Sequence, residues 1–377
     1  MNDALGVYVH LPFCPYICPY CDFAKFPHRA SQAKRYLDAL ECEIERTERL
    51  PAATIFYGGG TPNAYDAASI ATLTDRLREH FKATPGVPQE ISIEVNPELV
   101  RDGDFSTYVA AGVTRISIGV QSFVPGEIAT LGRRHTPQDP GRVVAQARTA
   151  GISVVSLDLI FGVPGQTLAS WDLSLNSAIA LGVDHISCYG LTVEEGTPYE
   201  QWERREPSAF PAQDAQADLY GRAMDRLEDA GFEQYEISNF ARARKYCAHN
   251  ENYWRNGEYI GLGVGAASYR GGIRRVQTRE LDLYCSALEE RRPIPSQEER
   301  LEGLQQAGEA IMLALRTSQG VEPDVFGNHY HINFEEQYRS VIARLLEQGL
   351  LERASARYRL TRRGRMLANV ACAEFLA

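Results

Sequence analysis

The chain of 377 residues contains no uninterrupted apolar run of about 18 residues, so nothing in it reads as a transmembrane helix. Its first residues, MNDALGVYVHLPFC, lack the basic flank and the unbroken apolar stretch of a secretory leader, because His10 and Pro12 interrupt them. A surplus of positive charge is also missing. Thirty-nine basic against 49 acidic residues leave a formal charge of -10, which repels polyanions and makes nucleic acid a poor partner. Low-complexity segments are absent, and with 44% hydrophobic and 23% charged residues the composition is that of a folded, cytoplasmic chain able to bury a large core. Its length suggests two domains, or one large α/β barrel with an appendage. Cysteine is sparse too, at eight residues, but unevenly so: Cys14, Cys18 and Cys21 fall within eight positions. In so long a chain such a cluster reads as a metal or redox site in a reducing compartment rather than as a disulfide framework.

From Leu5 onward, short β-rich runs alternate with helical patterns for about 190 residues, the signature of a parallel sheet. The expected strands are Gly6–Leu11, Thr54–Tyr57, Ile91–Val95, Arg115–Val120, Val154–Ile160 and His185–Gly190. Between them the apolar spacing predicts helices over 31–47, 66–81, 104–111, 137–150 and 167–181, with Ser31 and Asp66 as caps. Periodicity leaves open whether the six strands close as a partial barrel or lie flat. Either arrangement collects ligands at the carboxyl ends of the strands, where GGGTP (58–62), EVNP (94–97), GVQS (119–122) and DLIFG (158–162) fall. Beyond Leu191 a helix is expected at 212–230, followed by an aromatic, glycine-rich tract from Tyr246 to Gly272. ERRPIPSQ (290–297) is the best linker, and the last 80 residues have the helix–helix–hairpin–helix order of a winged-helix module. The expected division is therefore 1–235, 236–295 and 296–377.

The cysteines are spaced C-x3-C-x2-C. Three thiolates on one short loop can hold three irons of a [4Fe–4S] cluster and leave the fourth open. A structural zinc site would need a fourth Cys or His, and His28 is the nearest one on the C-terminal side. The GLGVGA stretch at 261–266 fits a loose dinucleotide fingerprint but is followed by SYRGGIRR rather than a helix, so it is set aside. His329 and His331, and the arginines at 357, 359, 362, 363 and 365, read as surface groups.

The cysteine loop resembles that of the radical S-adenosylmethionine (SAM) superfamily, and the resemblance implies a partial (β/α)6 barrel followed by a C-terminal helical, winged-helix-like domain. It further implies SAM chelated to the open iron, with Tyr20 near the adenine and Gly59, Gly60 and Thr61 beside the amino acid part of SAM. YVHLPFC, GGGTPN, IEVNP, GVQSF, LGRRH and DLIFG extend the likeness to the coproporphyrinogen III dehydrogenase-like family. That likeness places Tyr8, Glu94, Gln121, Arg133 and Asp158 in the SAM pocket. Arg133 can fork onto a carboxylate, and the two acids can accept from an amine or from hydroxyls.

Within this family, the members that decarboxylate coproporphyrinogen III carry another cysteine two residues after the third, and usually an N-terminal extension before the first strand. Here Phe23 stands at that position, after Asp22, and the first strand is reached almost at once. Both features resemble the haem-chaperone branch, as does CAHNENYW (247–254), which is similar to that branch's H-N-x-x-Y-W haem-binding motif. The implied iron ligand is His249, with Cys247 as an alternative thiolate and Cys42, Cys188, Cys285 and Cys372 as core thiols. The expected activity is delivery of haem to acceptor haemoproteins, among them membrane-bound respiratory enzymes, and the chain could pair as a homodimer. The alternative is radical SAM oxidative decarboxylation of coproporphyrinogen III to protoporphyrinogen IX, and a DNA-binding regulator is a third class.

Overall fold

The computed structural model describes residues 5–376. Six parallel strands, β1 (Gly6–Leu11), β2 (Thr54–Gly59), β3 (Glu90–Val95), β4 (Arg115–Gln121), β5 (Val154–Phe161) and β6 (His185–Gly190), lie side by side in chain order. Five helices cross between them: α1 (Ala30–Arg46), α2 (Ala67–His80), α3 (Asp104–Ala111), α4 (Asp139–Ala150) and α5 (Leu168–Ala180). Apolar strand residues such as Val7, Val9, Ile55, Ile93, Ile116 and Leu157 are fully buried under the apolar faces of these helices. Alternation along each strand sends the next residues to the opposite, lumen face. Asp66 caps α2 as expected, accepting from the Ser69 amide at 2.9 Å. Ser31 does not cap α1; the helix starts at Ala30, and Ser31 lies inside its first turn.

The sheet does not stop at six strands. After α6 (Gln213–Asp229), β8 (Asn239–Ala241) adds antiparallel to β6, and β7 (Glu233–Gln234) pairs antiparallel with β8 at the edge. Helix α7 (Ala248–Trp254) then leads back to β9 (Tyr259–Leu262), which pairs parallel to the free edge of β1. Strands β10 (Ala267–Arg270), β11 (Ile273–Gln277) and β12 (Ser296–Arg300) continue antiparallel from there, giving a 12-stranded sheet. The aromatic, glycine-rich tract thus widens the barrel sheet, and the last two residues of the expected linker begin its edge strand. β12 has no apolar alternation to betray it: it is exposed throughout and held by its backbone ladder and by ion pairs such as Arg275–Glu298 (2.6 Å). The glycines at 261–265 lead from strand to strand, in agreement with setting aside a dinucleotide fold there.

Helix α8 (Leu281–Glu289) packs on α1. The C-terminal region has its own apolar cluster, from Ala307 to Phe375. It comprises α9 (Gly303–Leu315), helices at 323–330 and 339–347, a hairpin of Leu351–Ala354 with Arg357–Leu360, and two short final helices, which is the winged-helix-like order expected. Its arginines are engaged locally: Arg357 with Glu322, Arg359 with Glu352 and Arg362 with Asp225. Among the described residues, no helix is long and apolar enough to cross a membrane.

Candidate functional site

The cysteine loop leaves the carboxyl end of β1 and is tied down at both ends. Phe13–Cys14 pairs with Phe26–Pro27, and the His28 amide donates to the Cys14 carbonyl at 2.8 Å. Within the loop, the Tyr16 hydroxyl donates to Glu98, and the Arg134 guanidinium lies 4.5 Å from the centre of the Tyr16 ring. Burial pushes the Cys14 thiol up to about 11, opposed by a hydrogen bond from Thr61, so loading with metal must release a proton there.

The glycine motif stands directly against this loop. A methyl group on Gly60 would lie 2.6 Å from the Pro12 carbonyl and 3.0 Å from Cys14 Sγ, and Gly59 has φ +110°, in the left-handed region. Bare backbone is therefore required where β2 ends. Next to it, Glu94 faces the lumen beside Gly58 and Tyr8. Enclosure there and the neighbouring Asp158 carboxylate push Glu94 up to about 8. Asp158 is raised as well, by its burial, although the Ser117 hydroxyl donates to it at 2.9 Å. One Arg133 nitrogen donates to Asn96 Oδ1 (2.8 Å) and to the Gly119 carbonyl (2.7 Å), while its Nε, buried, has no partner. Gln121 sits at φ +65° on a bulge where β4 meets β5, beside Gly119. Tyr20 packs against Tyr199, with ring centres 6.1 Å apart.

Tyr8, Glu94 and Asp158 thus lie on the lumen side of their strands, Gly59, Gly60, Thr61 and Gln121 at strand ends, Arg133 against the Gly119 carbonyl and 3.9 Å from Cys18 Sγ, and Tyr20 in the cysteine loop. The donor set fits the implied groups. An orphaned Arg133 Nε suits a carboxylate, two acids suit an amine and hydroxyls, and the bare Gly59–Gly60 backbone admits a close ligand. Among the described residues no three Cys, His, Asp or Glu side chains converge on one metal ion. Sequence reasoning passed over Asn96 and Asn63, which lock the ends of β3 and β2 together by reciprocal bonds of 2.9 and 3.0 Å. Both asparagines lie inside the GGGTPN and EVNP motifs, and that position was their only signal.

His249 is elsewhere. Helix α7 packs across the amino ends of β1 and β2, where Arg115, paired with Glu90 at 3.1 Å, also donates to the carbonyls of Lys245 and Tyr246. There His249 is 1% exposed, with Nδ1 bonded to Thr54 Oγ1 (2.7 Å) and Nε2 to the Tyr253 hydroxyl (2.8 Å). Burial lowers it to about 3, so the imidazole is neutral. Gly6 and Leu11 bound β1, and five steps of strand put His249 roughly 16 Å from the cysteine end. The lumen face of β1 and β2 bridges the gap: His249 stacks on Phe56 (5.1 Å), Phe56 on Tyr8 (6.3 Å), and Tyr8 bonds His10 (3.0 Å), whose Nε2 meets the Ala24 carbonyl (2.7 Å). Cys247 is buried toward Glu90, its thiol pushed up to about 12, which disfavours a thiolate. Cys188, Cys285 and Cys372 are buried as expected, but Cys42 is exposed on α1, because its position faces away from the core.

A cubane-type cysteine loop over a lumen of strand-end polar groups defines a radical SAM protein, and the model of the Radical SAM superfamily matches residues 8–178. A second family model, the HemN C-terminal domain, matches residues 301–367. Full-length relatives narrow this further. "Heme chaperone HemW" of Bacillus subtilis is 34% identical over 98% of this chain and 99% of its own length, and the protein of the same name from Escherichia coli K12 is 33% identical over 99% and 98%. The zebrafish protein "Radical S-adenosyl methionine domain-containing protein 1, mitochondrial" is 33% identical over 84% of this chain and 73% of its own. Among solved structures, coproporphyrinogen III oxidase (HemN) from E. coli superposes with a TM-score of 0.85 at 25% identity, covering 99% of this chain and 90% of that one. The chain belongs to the HemW family of the radical SAM superfamily.

Proposed function

We propose that this protein is a haem chaperone that binds haem, carries a SAM-liganded [4Fe–4S] cluster and delivers haem to acceptor haemoproteins in the cytoplasm or at its membrane. The observation that carries the reading is similarity to haem chaperones along the whole chain, including the 247–254 segment, rather than over the barrel alone. Residues 1–235 would hold cluster and SAM, 236–295 the cargo, and 296–377 would form the C-terminal domain.

Cys14, Cys18 and Cys21 would hold the cluster. Arg133 would meet the SAM carboxylate, Glu94 and Asp158 its amine and ribose, Gly59 to Thr61 its amino acid part, and Tyr8, Tyr20 and Gln121 would complete the pocket. When bound, the cluster and SAM supply one-electron chemistry at an iron left open by the protein. On the cargo side, His249 already has the neutral form that ligates iron. Ligation through Nε2 would exchange its bond to Tyr253 for one to iron.

The second reading, decarboxylation of coproporphyrinogen III, is favoured by the close superposition on HemN. One experiment separates the two: anaerobically reconstituted protein is titrated with haem and, on the same sample, assayed with coproporphyrinogen III, SAM and a reductant. Stoichiometric haem binding without turnover supports the chaperone. Turnover to protoporphyrinogen IX that is lost in Cys18→Ser supports the enzyme and sinks our reading.

A further inference from the structure

Beside the lumen lies a cavity of about 470 Å³, most of whose lining belongs to neither the cysteine end nor the His249 end described above, within the size range of cofactor sites. It lies over the face that β1 shares with the strands added to its edge. In the register Gly6 to Tyr259 to Tyr269, the two tyrosines fall on the same face as the lumen residues of β1. Tyr253 joins them from α7, so three aromatic rings make one wall. Tyr8 and His10 are shared with the lumen, and Ala24 and Phe23 of the cysteine loop close the opposite end. Phe23, which stands where the decarboxylating members of the family carry a cysteine, is 63% exposed at this rim, unusual for so large an apolar side chain.

The charges at the cavity are not equivalent. Arg274 is neutralised by Glu309 (2.8 Å) and Glu299 (3.2 Å). Arg279 has no carboxylate partner among the described residues; it donates to the Asp22 carbonyl at 2.6 Å and stands over the rim beside His10. A largely apolar slot with five aromatic side chains and one unpaired guanidinium at its mouth suits a planar, largely apolar ligand that carries carboxylates at its edge. Tyr253 connects this slot to the segment singled out in the sequence, since its hydroxyl holds His249 Nε2.

We infer that this cavity is the tetrapyrrole site, with Phe23 and the tyrosine wall against the macrocycle and Arg279 on a propionate; the inference rests on the haem reading above. The cargo then lies between the cysteine loop and α7, within reach of His249 once Tyr253 lets go, and both ends of the aromatic ladder meet it.

The test titrates the full, cluster-reconstituted chain with haem and with haem dimethyl ester, following the Soret band. Wild type, Arg279→Ala and Ala267→Trp are compared, the last placing an indole in the slot. The expected result is that Arg279→Ala weakens haem by at least about tenfold while leaving the ester unchanged, because the ester lacks the carboxylates that the guanidinium pairs with. Ala267→Trp should weaken both. Arg279 is exposed, so that variant reports even where Ala267→Trp fails to fold. If wild type binds haem and Arg279→Ala discriminates nothing, the cavity assignment is overturned while the chaperone reading stands. If wild type binds no haem at all, the chaperone reading itself fails, and the site assignment with it.

Discussion

Lowering the pH should unfold this protein partly through one residue. His249 is neutral in the folded chain, held near 3 by burial against an ordinary value of 6.5. Its two nitrogens are matched to the Thr54 and Tyr253 hydroxyls, each able to give or take a hydrogen bond, so neutral imidazole is fully satisfied. The unfolded chain takes up a proton on this residue as pH falls below its ordinary value, and the folded chain does not. Stability is therefore present above about pH 6.5 and is lost progressively as pH falls toward 3, to a limit of about 5 kcal/mol. Between about pH 7.5 and about pH 5 the same relation gives about 2 kcal/mol. Urea unfolding of the barrel, followed by circular dichroism, measures it in wild type and His249→Gln. Buried His185 and lumen-facing Glu94 titrate in both proteins, so the difference between the two pH profiles isolates His249. Wild type should lose about 2 kcal/mol more than the variant over that range. Parallel profiles would refute the claim that this imidazole is held neutral by its burial on the barrel floor.

Other outcomes follow from the cluster end. SAM is cationic at its sulfonium, so it should bind more tightly as pH rises toward and through about 8, where Glu94 ionises; equilibrium dialysis should show this slope flattened in Glu94→Gln. Arg133→Lys keeps the charge but loses the orphaned Nε, and SAM affinity should fall by about tenfold with the cluster's iron content unchanged. Gly60→Ala drives a methyl group to 2.6 Å from the Pro12 backbone, and should cost about 1–3 kcal/mol in unfolding and lower iron uptake. Cys18→Ser should lose the cluster's visible absorption, whereas Cys42→Ser, on the exposed face of α1, should load like wild type.

Much of this site was legible because its signals are local. Three thiols within eight residues, bare glycines after β2 and an acid inside an apolar run each state a chemical need without reference to the rest of the chain. Glu94 and Asp158 were singled out by the family likeness, and strand alternation agrees with their lumen-facing positions. By contrast, Ser31 does not cap α1, which begins one residue earlier with no side-chain cap at Arg29, and β12 was hidden by its charged, patternless sequence. Arg279, the unpaired cation at the cavity mouth, had no local signal at all, since an unpaired arginine is defined by what the fold brings near it.

The sequence by itself determined the order of the barrel elements, the close spacing of the three cysteines and the polar groups at the strand ends, because hydrophobic period and residue spacing act over a few residues. Only the tertiary structure decided that β1 is flanked by residues 54–57 on one side and 259–262 on the other. That pairing of distant segments puts His249 on the floor of the barrel rather than beside the cysteines, and opens the aromatic slot between them. Such contacts are selected by the burial of whole faces, which no single segment encodes.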